Sequence, residues 1–91
     1  MIIGLDVHKD LVYVTRMEND GKITEQYEMK NSEESWNKFV GKYILEMPEI
    51  ALEASTSGKH VARILRDLDF SVLIFISFGD ILDLYYNILI F

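Results

Sequence analysis

The chain has 91 residues, 49% of them apolar, no cysteine, and 15 acidic side chains against 9 Lys and Arg. That length holds one modest core, the apolar share excludes a disordered chain, and the missing cysteines exclude disulfide scaffolds and thiolate metal centres. A net charge of −6 argues against strong stand-alone binding to DNA or an anionic membrane, because the sequence-independent part of such affinity comes from Lys and Arg on phosphates.

Residues 2–7, IIGLDV, form a short apolar run of strand length. They lack the basic segment that opens a signal peptide, which together with the absent cysteines makes the cytoplasm the expected compartment. Residues 11–18, LVYVTRME, carry β-branched and aromatic types that suit a pleated surface. Asn19-Asp20-Gly21 predicts a turn, since all three tolerate positive φ. Residues 22–29, KITEQYEM, then place Ile23, Tyr27 and Met29 on one face and Thr24, Gln26 and Glu28 on the other. Three strands with short turns predict an antiparallel meander.

The apolar period then changes. Asn31 is the expected N-cap of a first helix, with Glu34 completing a capping box. Trp36, Phe39, Val40, Tyr43, Ile44 and Met47 share one helical face, and Pro48 stops the helix. Residues 49–54, EIALEA, predict a fourth strand. Ser55, Thr56 or Ser57 caps a second helix with a stripe of Val61, Ile64, Leu65 and Leu68, and residues 70–75, FSVLIF, predict a fifth strand. The order βββαβαβ implies a mixed five-stranded α/β sheet flanked by helices, with right-handed crossovers.

Residues 71–91 hold no Lys or Arg and only Asp80 and Asp83 as charges. An apolar helix is expected after Gly79. A membrane span needs ~20 apolar residues, and Gly79, Asp80, Asp83 and Asn87 interrupt this run, so a helix packed on the domain or on a partner is expected instead.

The stretch Leu52-Glu53-Ala54-Ser55-Thr56-Ser57-Gly58-Lys59-His60 imitates a phosphate loop, but Glu53 stands where such a loop needs its first Gly. His60 replaces the hydroxyl that would hold Mg²⁺. What remains is a strand ending in a carboxylate, then a hydroxyl-rich cap. Asp6 likewise stands near the C-terminal end of strand 1. If strands 1 and 4 are parallel neighbours, the two acids lie side by side, and a hard divalent cation with oxygen ligands would relieve their repulsion. Spacing leaves the alternative open: Asp6 opens a turn with His8-Lys9-Asp10, and Glu53 is a solvated strand-end acid.

Gly4-Leu5-Asp6-Val7-His8-Lys9 and Ala51 to Arg63, ALEASTSGKHVAR, resemble the N-terminal part of the DEDD-type insertion-sequence transposases, which carry a RuvC-like, ribonuclease-H-like domain. The resemblance covers about residues 2–72 and rests on two motifs in the right order and strand context. It implies that Asp6 and Glu53 are the first two acids of the set. It also implies that they help hold Mg²⁺ for DNA strand cleavage and transfer, with DNA and a guide RNA as partners. The third and fourth acids and the family's serine-bearing domain have no counterpart here. The resemblance therefore implies a catalytic fragment, truncated or frame-shifted, that is inactive alone, with residues 73–91 a divergent apolar tail of this single domain.

Lys59, Arg63 and Arg66 share one side of helix 2 and are candidates for phosphate contacts; a solvated face balanced by Asp67 and Asp69 is the other reading. Asp80 and Asp83 share a helix face and are candidate surrogate ligands. Tyr85, Tyr86 and Phe91 suggest a homodimer through the apolar tail. A non-catalytic dimerisation or regulatory module derived from a transposase is thus the alternative function. An actin-like phosphotransfer fragment ranks last, because no glycine-rich loop follows strand 1.

Overall fold

The computed structural model describes residues 1–53 and 56–75, with Glu53, Thr56 and Phe75 described by backbone alone. The elements follow the expected order: β1 (Ile2–Val7), β2 (Leu11–Met17), β3 (Ile23–Lys30), α1 (Glu33–Tyr43), β4 (Glu49–Glu53), α2 (Thr56–Asp67) and β5 (Ser71–Phe75). The strands form one sheet in the order β3-β2-β1-β4-β5. β2 pairs antiparallel with β1 and β3, whereas β4 pairs parallel with β1 and β5.

This order decides where the helices go. The crossover through α1 leads from β3 to β4, and the one through α2 leads from β4 to β5. Both move the same way across the sheet between parallel strands. Two right-handed crossovers in one direction put both helices on one face. The core agrees: Ile3, Leu5, Val7, Val12, Val14, Ile50, Leu52 and Val72 all project to that face and meet Phe39, Tyr43, Val61, Ala62 and Leu65. The opposite face carries Gly4, Asp6, Tyr13, Thr15 and Leu73. Tyr13 and Leu73 are well exposed there, at 42% and 45%. The expectation of helices flanking the sheet narrows, among the described residues, to helices on one side.

Local chemistry corrects three sequence expectations. Ser32, not Asn31, caps α1: its Oγ accepts the Ser35 N–H at 3.2 Å. Asn31 instead donates through Nδ2 to the His8 carbonyl and accepts from the Trp36 indole, each at 2.9 Å, which ties the β1–β2 turn to α1. Ile23 does not share a face with Tyr27. Arg16 pairs with Glu25 but Met17 pairs with Ile23, so Thr24 is an extra residue and the strand turns over. Ile23 consequently faces away from the core and is exposed.

The buried stripe of α2 is Gly58, Val61, Ala62 and Leu65 rather than one including Ile64 and Leu68, which are exposed. The helix presses its small residues toward the sheet. It ends in a reciprocal cap: Asp69, at φ 69°, donates to the Arg66 carbonyl, and Phe70 donates to the Leu65 carbonyl. Phe70 then enters the core. The predicted turn forms as expected, with Gly21 at φ 85° and its N–H donating to the Glu18 carbonyl at 2.9 Å.

Gly41 lies in the exposed part of α1, and a Cβ there would touch nothing within 4 Å. Gly41→Ala therefore removes backbone freedom from the unfolded chain without a clash. It should stabilise the fold by about 0.5–1 kcal/mol, read as a higher urea midpoint at unchanged slope.

No helix among the described residues is long and apolar enough to cross a membrane. The expected helix after Gly79, Asp80 and Asp83 as surrogate ligands, the tail dimer surface and a cap at Ser55 lie outside the described residues.

Candidate functional site

Asp6 sits one step past the last paired residues of β1 and β4. The parallel ladder runs Gly4 with Ala51 and Leu5 with Leu52. One residue further along each strand stand Asp6 and Glu53. The backbone register therefore brings the two acids to adjoining places at the C-terminal ends of two central parallel strands. Alternation puts Asp6 on the face opposite the helices, because Leu5 points into the core.

An open groove of about 470 Å³ lies on that face, and Asp6, Tyr13, Thr15, Gln26 and Glu28 are among its lining residues. Tyr13 is the β2 residue directly opposite Asp6, and Glu28 is opposite Tyr13 on β3. Among the described lining residues there are two carboxylates and no Lys or Arg. Such a groove attracts a cation and repels a bare phosphate. The donors are oxygens, which is the chemistry a hard divalent ion takes: one or two carboxylates, with water or substrate phosphate completing the shell. Among the described residues no group of three His, Asp or Glu side chains converges on one point.

His8 extends the same face beyond Asp6. Its Nε2 lies 3.1 Å from Asp6 Oδ1, with side chains 57% and 29% exposed respectively. Its ring meets Tyr13 edge-on, centroids 5.8 Å apart. Sequence reasoning singled out Asp6 and Glu53 but missed Tyr13, Thr15, Gln26 and Glu28. Their alternation along β2 and β3 was legible; which strand lies beside β1 was a matter of sheet order.

The basic trio on α2 is divided. Lys59, Arg63 and Arg66 are all exposed, but Arg66 Nη2 also donates to the Val72 carbonyl at 2.8 Å and so clips α2 to β5. Arg66 has a structural task that a solvated-face reading did not foresee.

A second polar cluster lies on the helix side. Arg16 meets Glu18 and Glu46 at 3.0 Å and Glu25 at 3.4 Å, and Lys42 pairs with Glu25. Tyr43 donates to Glu25 at 3.3 Å, and its hydroxyl lies 3.1 Å from that of Tyr27. The Lys42 ammonium holds the Glu25 carboxyl below its ordinary range, and Arg16 does the same for Glu18. Burial pushes both tyrosine hydroxyls up, so they stay neutral. This cluster joins β2, β3 and the end of α1; it is satisfied internally and lies on the opposite face from Asp6.

No family model matches this chain, and no curated protein matches it. The chain is similar in fold to a crystal structure from Bacteroides thetaiotaomicron VPI-5482, titled a protein with actin-like ATPase fold and unknown function. The TM-score is 0.63 at 16% identity, over 93% of this chain and 37% of that one, so this chain spans little more than a third of that protein's length. A likeness at this identity shows the fold alone: a mixed five-stranded α/β sheet similar to part of a protein with an actin-like ATPase fold.

Proposed function

We propose that this chain is the N-terminal part of a RuvC-like catalytic domain of a DEDD-type DNA transposase, with Asp6 and Glu53 as ligands for Mg²⁺. The observation that carries the reading is the β1–β4 register: the parallel ladder runs to Leu5 and Leu52, and Asp6 and Glu53 are the next residue on each strand. The groove beside Asp6, which has no Lys or Arg among its described lining residues, supports it, because cation binding is what such a surface favours. In this chemistry Mg²⁺, when bound, polarises the scissile phosphate and stabilises the attacking and leaving oxygens. Asp6 and Glu53 would hold the ion, with water and substrate oxygens completing its shell. Two acids make half of the expected set, so the isolated chain binds metal weakly and does not cut DNA. Lys59 and Arg63 are exposed cations of α2 that would meet a phosphate backbone in the complete enzyme.

The test is calorimetric titration of Mg²⁺ and Mn²⁺ into the full chain. Asp6→Asn and Glu53→Gln should each weaken binding about tenfold or more, while circular dichroism shows an unchanged fold. Binding that survives both substitutions would sink the half-site.

Phosphotransfer is the second reading, favoured by the actin-like fold of the structural relative. The β1–β2 turn speaks against it. It has no glycine, and the His8 N–H already donates to the Leu11 carbonyl at 2.8 Å rather than to an incoming phosphate. ATP binding detected in the same calorimeter, without metal, would reverse the order of the two readings.

A further inference from the structure

β3 is an outer strand of the sheet. Among the described residues no strand pairs with its far side, where alternate N–H and C=O groups face outward. The extra residue Thr24 lies near the start of β3, and residues 25–30 pair with β2 without interruption. That stretch has neither the Pro nor the bulge that commonly blunts a sheet edge. α1 returns beside it, since Lys42 in its last turn pairs with Glu25. A groove of about 330 Å³ lies between strand and helix. Tyr27, Met29 and Phe39 give it an apolar floor packed on the core, and the exposed Lys30, Lys38 and Lys42 give it a basic rim. The chain carries a net charge of −6, yet no Asp or Glu is among the described lining residues of this groove. Its local sign is therefore opposite to that of the protein.

We propose that this groove takes an extended acidic segment of a partner protein, which adds to the β3 edge as a further strand. The outward N–H and C=O groups of β3 supply main-chain hydrogen bonds, and the groove supplies the choice of side chains. Successive residues of an added strand point alternately toward α1 and away from it. An apolar side chain on the α1 side covers Tyr27, Met29 and Phe39. Carboxylates beside it meet Lys30 and Lys38. Both lysines are available: Lys30 makes no ion pair among the described residues, and Lys38 meets Glu34 with side chains 78% and 80% exposed, a pair that solvent screens. Lys42 is already engaged, by Glu25 and by the Tyr27 ring, and serves as a fixed wall. A nucleic-acid backbone would also meet the lysines, but it uses neither the apolar floor nor the open strand edge. The groove lies on the helix side of the sheet and Asp6 faces the other, so this inference does not depend on the metal reading.

The probe is a fluorescein-labelled octapeptide alternating Glu and Val, titrated into the full chain and followed by fluorescence anisotropy. It should bind, and an octapeptide alternating Lys and Val should not. Two further forms carry N-methyl groups, one on the Glu amides and one on the Val amides. One of them should bind about tenfold or more weakly, because it has lost the donors that face β3. The double variant Lys30→Glu, Lys38→Glu should lose about tenfold or more in affinity for the parent peptide. Both side chains are exposed, so circular dichroism and the urea midpoint should stay close to those of the wild type. Amide shifts in NMR should gather on β3 and α1. If the parent peptide does not bind, the proposal falls. It also falls if both N-methylated forms bind like the parent, since charge alone would then hold the peptide. Peptide affinity unchanged in the double variant overturns the assignment of the rim. If single-stranded DNA binds through Lys30 and Lys38 and the peptide does not, the lysines serve phosphate and the proposal is wrong.

Discussion

Tyr43→Ala should cost about 3–5 kcal/mol, the range for emptying a buried aromatic site. The Tyr43 side chain is fully buried and packs edge-on against Phe39 with centroids 4.8 Å apart. Its hydroxyl bridges Tyr27 on β3 and Glu25, so the residue docks α1 onto the outer strands of the sheet. A chain of this length has roughly 5–14 kcal/mol of stability in total. Such a loss removes much of that margin and should leave a large unfolded population in urea melts followed by circular dichroism. Tyr43→Phe separates packing from hydrogen bonding. It keeps the ring, loses the hydroxyl, and should cost only about 1 kcal/mol. If the two variants proved equally destabilised, the hydroxyl contacts and not the packing would hold the helix.

Arg16→Ala should cost about 1–2 kcal/mol at neutral pH, and less in acid. Arg16 is 19% exposed and faces Glu18, Glu25 and Glu46, which are 33%, 30% and 46% exposed. Solvent screens these pairs, so the cost stays well below that of a fully buried network. Removing the guanidinium leaves carboxylates that repel one another. The sign follows from linkage. Glu18 and Glu25 have lowered folded-state values, so their contribution is present above the ordinary glutamate range near about 4.3 and is lost as pH falls through the folded values. The difference between wild type and Arg16→Ala, measured by urea unfolding, should therefore shrink between pH 7 and pH 3. A difference that stays constant would mean that Arg16 acts through the packing of its stem alone. At the alkaline end the direction reverses for Tyr27 and Tyr43. Burial raises their values, so stability should fall as pH rises past the ordinary tyrosine range near about 10, where the unfolded chain ionises first.

The candidate site was legible in part because strand alternation is a local property. Asp6 and Glu53 each stand near the end of an apolar strand, and neither fits a core, so their chemistry stood out before any pairing was known. The groove partners did not stand out. Tyr13, Thr15, Gln26 and Glu28 are ordinary residues for strands with one face that neither described helix covers, and they line the site because β2 and β3 lie beside β1 in the sheet. His8 lay between the two cases: its nearness to Asp6 followed from alternation, while its tether through Asn31 to Trp36 required the turn and α1 to meet.

Element order, the Asn19-Asp20-Gly21 turn and the apolar face of α1 through Phe39 and Tyr43 were all present in the sequence, because periodicity and turn chemistry act over a few residues. Tertiary structure alone decided the rest. Thr24 became the extra residue that turned Ile23 outward only when β3 was drawn into register with β2. The buried stripe of α2 moved to Gly58, Val61, Ala62 and Leu65 because that is the side which lets the helix approach the sheet closely. Both helices fell on one face because the chain crosses from β3 to β4 and from β4 to β5 in the same direction, and chirality permits only a right-handed path. The other face was thereby left to Asp6, Tyr13 and Thr15, the surface on which the proposed chemistry depends.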